Sequence, residues 1–383
     1  MANTDRACNF MFTNPKGLRE NGLLYSADVC AGARGFSEHI LWRKKWRAKG
    51  FALTLENEHD FKLEDFYAGP CETFHPYYGP KESGDVFDPD NEEAFANLIM
   101  QHTHGKGVHF VMFDWGFSAE RQENVQEILS KQLYLCRCLI ALMVEREGGD
   151  FVTKLFNLFT PFSAGLVYLM YRCFEEVFIF KPNSSRPGNS ERYLICKKKR
   201  SGVLDVVEYL KHVNRLLLKG GVNDDVLQLV SYNELKREKQ FVQYLRASNK
   251  DLGGKQIIDL CKIAAFYADN TLVEIKQVDM RKQCLEYWKL PDETRTIPRH
   301  MKPKTNWILF WKILHFLLLI QHNWWNLTLK MHFYHYMTGF VCHVVQSQGL
   351  MMIGSTLHFI WAWEGATYIN IQRILGLVSM TLA

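Results

Sequence analysis

The sequence has no CxxC pair. Its ten cysteines are scattered, and the nearest two are Cys136 and Cys138. A zinc ribbon or a thioredoxin-like dithiol needs such a pair, so neither is expected. Free thiols in a reducing compartment are the simplest reading. The N-terminal stretch "MANTDRACNFMF" has no apolar run of signal-peptide length, so secretion is not expected. Internal repeats and long low-complexity linkers are absent too. Neither sign of charge dominates: 46 Lys and Arg against 41 Asp and Glu leave a formal net charge of +5. That balance permits an acidic partner without demanding one. The histidines of "HTHGKGVH" (His102, His104 and His109) have no acid or cysteine at familiar ligand spacing, so no metal site is expected.

What is present is a chain of 383 residues, 47% of them hydrophobic, enough for one large domain or two modest ones with a sizeable core. "GLLYSADVC" is a short apolar run ending near Asp28 and reads as a buried strand. "GFSEHILWRKKW" follows as a helix, and "GFALTL" as a second strand. "GVHFVMFD" is a strand ending at Asp114. "QENVQEILSKQLYLCRCLIALMVEREGG" repeats its apolar residues at helical spacing and predicts one long helix stopped by Gly148. "DFVTKLF" is a strand, and "PFSAGLVYLMYRCF" opens on proline as a helix. "EVFIFKP" and "ERYLICKK" are strands joined by the turn-rich "NSSRPGNS". Such alternation predicts an α/β fold, a sheet covered by helices on both faces. Ligands of such sheets bind at the carboxyl ends of the strands, where Asp28, Asp114 and Lys154 fall.

Composition changes sharply near Pro298. Beyond it, charges are few and Trp, His, Phe and Leu are many, with six of the ten tryptophans after residue 306. The segment 306–325 approaches the length of a membrane span, about 20 apolar residues. Lys312 and His315 interrupt it, so a membrane anchor is not expected.

Several residues could carry chemistry, and each has a plainer reading. The loop from Cys30 to Gly35 lies between a strand and a helix, where backbone N–H groups favour an anion. By itself it is equally an ordinary turn. Lys154 lies inside an apolar strand, where an unpaired ammonium is costly. It needs a partner or a function, unless it snorkels from the strand end. Glu191 could pair with it or be an exposed turn carboxylate. Asp114 could be a solvated strand-end aspartate. The basic run "WRKKWRAKG" could track a phosphate backbone, although such runs more often form a solvated helix face.

Taken together, the segments "MFTNP", "ADVCAGARGFSE", "LWRKKWRAKGF", "KGVHFVMFDWGFS", "QENVQEILSKQLYLC", "LFTPFSAGLVYL" and "FKPNSSRPGNSERY" resemble the FtsJ-like ribose 2′-O-methyltransferases. Within them the nearest likeness is to the eukaryotic branch specific for the mRNA cap. The resemblance runs from Met1 to about Pro298 and stops there. It implies a Rossmann-like, S-adenosylmethionine-dependent methyltransferase sheet over residues 1–200. A mainly helical extension over 201–298 and an unrelated apolar tail over 299–383 would follow. It implies that Cys30, Ala31, Gly32, Ala33, Arg34, Gly35 and Phe36 form the S-adenosylmethionine loop, with Asp85 and Val86 at the adenosine and Asp114 beside the cofactor. Asp114, Lys154 and Glu191 match three of the family's four catalytic positions; the fourth, a lysine, would fall immediately before Met1. Asn124 matches a position that contacts the RNA. The implied substrate is capped mRNA, methylated on the ribose 2′-hydroxyl of its first nucleotide, with no metal, no DNA and a nuclear address. An impaired or truncated homologue that only binds RNA is the alternative. The chain departs from the family pattern at Ala33-Arg34, where relatives have Pro-Gly. Phe113 and Trp115 replace small residues, and Asn157 replaces an aspartate.

Overall fold

The computed structural model describes residues 1–19, 21–30, 35–45, 47–56, 73–114, 125–221, 225–269 and 271–293. The chain divides into a unit spanning Met1–Met301 and a second spanning Lys302–Ala383. The elements of the first unit run α1 (Ala2–Ala7), β1 (Leu24–Val29), α2 (Gly35–Lys44), β2 (Ala48–Leu53), β3 (Phe74–Tyr77), α3 (Pro89–His102) and β4 (Val108–Phe113). Then come α4 (Gln126–Leu129), α5 (Lys131–Val144), β5 (Glu145–Leu155), α6 (Pro161–Cys173), β6 (Phe174–Phe180) and β7 (Arg192–Lys199). Four more helices close the described chain: α7 (Leu204–Lys219), α8 (Tyr232–Arg237), α9 (Lys239–Ala268) and α10 (Gln277–Trp288).

The strands form one seven-stranded sheet in the order β3-β2-β1-β4-β5-β7-β6. Neighbours from β3 to β5 pair in parallel, and β7 runs antiparallel to both β5 and β6. Parallel strands are buried on both faces and therefore read as continuous apolar runs. β4, "VHFVMF", is buried at every position. Side chains alternate between the two faces. Val111 and Phe113 join the large core beneath α3, α5, α6 and α7, whereas Phe110 and Met112 join a smaller core with Phe36, Ile40 and Leu41 of α2. Burial follows the helix faces: α5 inserts Leu133, Leu135, Leu139 and Ile140 into the large core, each almost wholly removed from water.

The helix expected over 122–149 is shorter and broken. Residues 122–124 lie outside the described residues, a turn at Ser130 separates α4 from α5, and α5 ends at Val144. The segment "EREGG" belongs to β5 instead, with Glu145 paired to Val108. Arg146 explains the change: its guanidinium donates to the Gly107 carbonyl at 2.7 Å and contacts His109 Nε2 at 2.7 Å. Gly148 then takes φ +72, which ends any helical continuation. β3 and α3 fall in a stretch where the sequence reading places no element.

Candidate active site

β1 and β4 are neighbours whose chain connections leave in opposite directions, β1 leading to β2 on one side and β4 to β5 on the other. A crevice opens at the carboxyl ends of two such strands. Asp28 sits at that end of β1, buried to 1% exposure. Its Oδ2 accepts hydrogen bonds from Ser37 N (3.2 Å) and Ser37 Oγ (2.7 Å) in the first turn of α2. Helix N-termini carry unpaired N–H groups, and a carboxylate there is favourable. The strand end thus fastens the start of the helix across the loop between them. Burial pushes the Asp28 carboxyl up to about 7, with the Ser37 bonds pulling the other way. Its Oδ1 is buried without a hydrogen-bond partner among the described residues. Cys30, the next residue but one, has φ +58, a left-handed conformation that is strained for a side chain of this kind. Of the remaining loop positions, Gly35 and Phe36 open α2, while Ala31, Gly32, Ala33 and Arg34 lie outside the described residues.

The second wall is the loop before α3. Gly84 has φ +62, and a Cβ there would meet the Thr54 carbonyl oxygen at 1.6 Å. The loop therefore lies directly against the end of β2, as only glycine allows. Asp85 follows, with its Oδ1 accepting Phe87 N at 2.9 Å. Its backbone is held from below: Asn91 Nδ2 donates to the Asp85 carbonyl at 2.9 Å, and Asn214 Nδ2 of α7 donates to the Phe87 carbonyl at 3.0 Å. Val86 is buried in the large core. Burial raises the Cys30 thiol above its ordinary range, and the Asp28 and Asp85 charges add to it.

Beyond the β4 end lies an ion cluster. Lys154 Nζ is 3.2 Å from Asp114 Oδ1 and 3.3 Å from Glu191 Oε2. The three side chains are mostly buried, at 15% exposure for the lysine and 29% and 19% for the carboxylates. The partner that a lysine in an apolar strand needs is therefore supplied twice. Glu191 is fixed in turn: Ser185 Oγ donates to its Oε1 at 2.7 Å, and Lys181 Nζ donates to its carbonyl at 2.7 Å. Tyr193 OH donates to Asp114 Oδ1 at 2.9 Å. Phe113, a bulky departure from the family pattern, points to the opposite face. It is fully buried there, edge-on to Phe151.

Asp28, Asp114, Lys154 and Glu191 thus come together at the carboxyl ends of the central strands β1, β4 and β5, with Cys30, Gly35, Phe36, Asp85 and Val86 around the neighbouring crevice. Asn124 and Trp115 lie outside the described residues. Sequence reasoning passed over Tyr193, Ser185 and Lys181. No local signal marks Tyr193, a tyrosine at the start of a strand. The basic run also differs from a plain solvated face: Arg43 is 3.9 Å from the buried Asp5 and donates to the Trp288 carbonyl. Among the described residues, no group of three or more His, Cys, Asp or Glu could hold a metal ion. No described helix is long and apolar enough to cross a membrane, and 306–325 lies outside the described residues.

Comparison with known proteins fits this geometry. A cap-specific mRNA (nucleoside-2′-O-)-methyltransferase 1 from Xenopus laevis is 52% identical over 317 residues, covering 80% of this chain and 38% of its own length. The Drosophila melanogaster protein of that name is 51% identical over 310 residues, covering 78% of this chain and 39% of its own. The Homo sapiens protein is 50% identical over 317 residues, covering 80% and 38%. The chain therefore spans about two fifths of the length of these relatives. The family described as FtsJ-like methyltransferase matches residues 7–199, half of the sequence, and the chain belongs to that family.

Proposed function

We propose that the chain transfers a methyl group to the ribose 2′-hydroxyl of the first nucleotide of capped mRNA, in the nucleus. The observation that carries this reading is Lys154, held at 3.2 and 3.3 Å between Asp114 and Glu191 beside the β1 crevice. The relatives at 50–52% identity, named as cap-specific mRNA (nucleoside-2′-O-)-methyltransferases, support the substrate class.

S-adenosylmethionine fits the residues around the crevice. A purine nucleoside needs a carboxylate for its hydroxyls or exocyclic amine, and Asp85 offers Oδ2 beyond the oxygen that Phe87 N takes. The glycine at 84 lets that loop approach the sheet, and the N-terminus of α2 favours the methionyl carboxylate. We place Cys30 to Phe36 around the methionyl part, Asp85 and Val86 at the adenosine, and Asn124 against the RNA. When bound, the cofactor supplies a methyl group on a sulfonium, ready for in-line displacement.

The chain's own residues do the rest. Lys154 takes the proton of the 2′-hydroxyl, or steers its loss, as the oxygen attacks the methyl carbon. Bound S-adenosylmethionine would supply that methyl from a sulfonium whose sulfur keeps the electron pair of the carbon–sulfur bond. Asp114 and Glu191 hold the Lys154 side chain in place and balance the charge of the ammonium that forms when its free amine takes the proton. This is catalysis by positioning and proton transfer, and no step of it calls on a metal.

Replacing Lys154 by Ala tests the reading. Transfer of radiolabelled methyl to capped RNA is expected to fall by at least about 100-fold, the scale of general acid–base catalysis. S-adenosylmethionine affinity by calorimetry is expected to stay within a few-fold. Full activity in the variant would refute the assignment. RNA binding with no transfer in the unaltered chain would instead support a homologue that only binds RNA.

A further inference from the structure

Tyr193 takes no part in the mechanism above, yet its contacts reach both halves of the site. In the antiparallel pairing of β5 with β7, Tyr193 lies directly opposite Lys154. Directly opposed residues project from the same face of a sheet, and so do residues two apart on one strand. Lys154 and Tyr193 therefore share a face by construction, and Glu191, just ahead of β7, reaches the same lysine. The Tyr193 hydroxyl donates to Asp114 Oδ1 at 2.9 Å, the same oxygen that lies 3.2 Å from Lys154 Nζ. It stands 3.5 Å from Glu191 Oε1, whose other oxygen faces Lys154. Burial, with the two carboxylates adding to it, pushes the phenol far above its ordinary range, so the hydroxyl stays protonated and remains a donor.

The two carboxylates depend on it unequally. Glu191 Oε1 already accepts from Ser185 Oγ at 2.7 Å, so its orientation survives without the tyrosine. Among the described residues the Asp114 carboxylate is held by Lys154 and Tyr193, so without the tyrosine hydroxyl only the ion pair orients it. The ring has a second contact. It stacks on Phe36 with centroids 6.1 Å apart and planes at 30°. Phe36 is the second residue of α2, directly after the proposed cofactor loop, and next to the Ser37 that Asp28 holds.

We propose that Tyr193 is a positioning residue for methyl transfer: its hydroxyl fixes the Asp114 carboxylate on Lys154, and its ring ties that ion cluster to the cofactor loop through Phe36. This rests on the methyltransferase reading given above. The distance between the lysine and the methyl group is then set by one side chain that touches both halves of the site, and misplacement there is costly to rate.

Two variants separate the hydroxyl from the ring. Tyr193→Phe keeps the stack and loses the donor. Single-turnover transfer to capped RNA is expected to slow by about 10- to 100-fold, the worth of one hydrogen bond to a charged group. The KM for RNA, the S-adenosylmethionine affinity and the melting temperature are expected to stay at their unaltered values. Tyr193→Leu loses both contacts and is expected to weaken S-adenosylmethionine binding several-fold as well. A Phe variant with undiminished transfer overturns the proposal, and so does one whose rate loss merely follows a loss of stability or of cofactor affinity. A second readout needs no turnover. The Lys154 ammonium signal in nitrogen-15 NMR, assigned through Lys154→Arg, is expected to shift and broaden in Tyr193→Phe. An unchanged signal refutes the role of the hydroxyl. Absence of transfer in the unaltered chain refutes the proposed function and leaves the NMR result to decide the positioning claim.

Discussion

Glu92 is a carboxylate in the wrong solvent. It is 2% exposed on α3, and burial pushes it up to about 8, against the pull of its bonds to Cys136 and Asn214. The folded protein therefore keeps a proton that the unfolded chain releases near the ordinary glutamate range. Stability from this group is fully present at low pH and is lost as pH rises toward 8. Asp28, raised to about 7, and Asp150, raised to about 6, act with the same sign over narrower windows. His109, lowered to about 4 by burial and Arg146, acts in the opposite sense, but only below the ordinary histidine range. Between pH 7 and 8.5 Glu92 thus carries more of the slope than these three. Calorimetric melts of Glu92→Gln are expected to lose less stability over that interval than the unaltered chain. Parallel curves would show that the carboxyl is ionised throughout. At the far side of the sheet, Arg192 is 2% exposed and reaches Asn157 Oδ1 only at 3.4 Å. The family resemblance places an aspartate there. Asn157→Asp exchanges a weak neutral acceptor for a charged one and is expected to stabilise by about 1–2 kcal/mol. A melting temperature that does not rise would contradict this.

At the scale of elements, the strands that carry the site were legible because they are buried on both faces. Asp28, Asp114 and Lys154 each end or interrupt an apolar run, and a polar residue in that setting has to have a partner. Glu191 could be paired with Lys154 on the same ground. Tyr193 could not be singled out, because a tyrosine in a strand is ordinary until its hydroxyl is seen on Asp114. The boundary between α5 and β5 was misread for a related reason. The residues "EREGG" after Val144 hold nothing apolar and read as a solvated helix end, whereas the contacts of Arg146 with Gly107 and His109 are long-range, and no local pattern announces them. β3 has four residues including Pro76, too short for a periodic signal. α3 did leave one: Asp88 caps it by accepting Asp90 N, and Pro89 opens it. The loop between these two elements gives the sharpest test at this scale. Gly84→Ala brings a Cβ against the Thr54 carbonyl at a left-handed backbone position. It is expected to cost about 2–4 kcal/mol of stability and to weaken S-adenosylmethionine binding by displacing Asp85. Unchanged affinity in calorimetry would remove Asp85 from the cofactor site.

For the whole molecule, every proposed site residue lies between Asp28 and Tyr193, within the unit Met1–Met301. The proposed helical extension is not peripheral to it. α7 contributes Val207, Leu210 and Val213 to the large core, and its Asn214 holds the Phe87 carbonyl of the Asp85 loop. Truncation before α7 is therefore expected to lose the fold. Deletion of residues 299–383 is expected to leave S-adenosylmethionine affinity unchanged, and a loss of binding would place part of the site in the tail. The central claim is that a lysine held by two carboxylates makes this end of the sheet a ribose 2′-O-methyltransferase site. The most direct measurement incubates the chain with capped RNA and isotopically labelled S-adenosylmethionine, digests the product to nucleosides and identifies the labelled one by mass spectrometry. The expected result is label on the ribose 2′-oxygen of the first nucleotide, and none with Lys154→Ala. Label on a base, on another nucleotide, or undiminished in the Lys154 variant would contradict it.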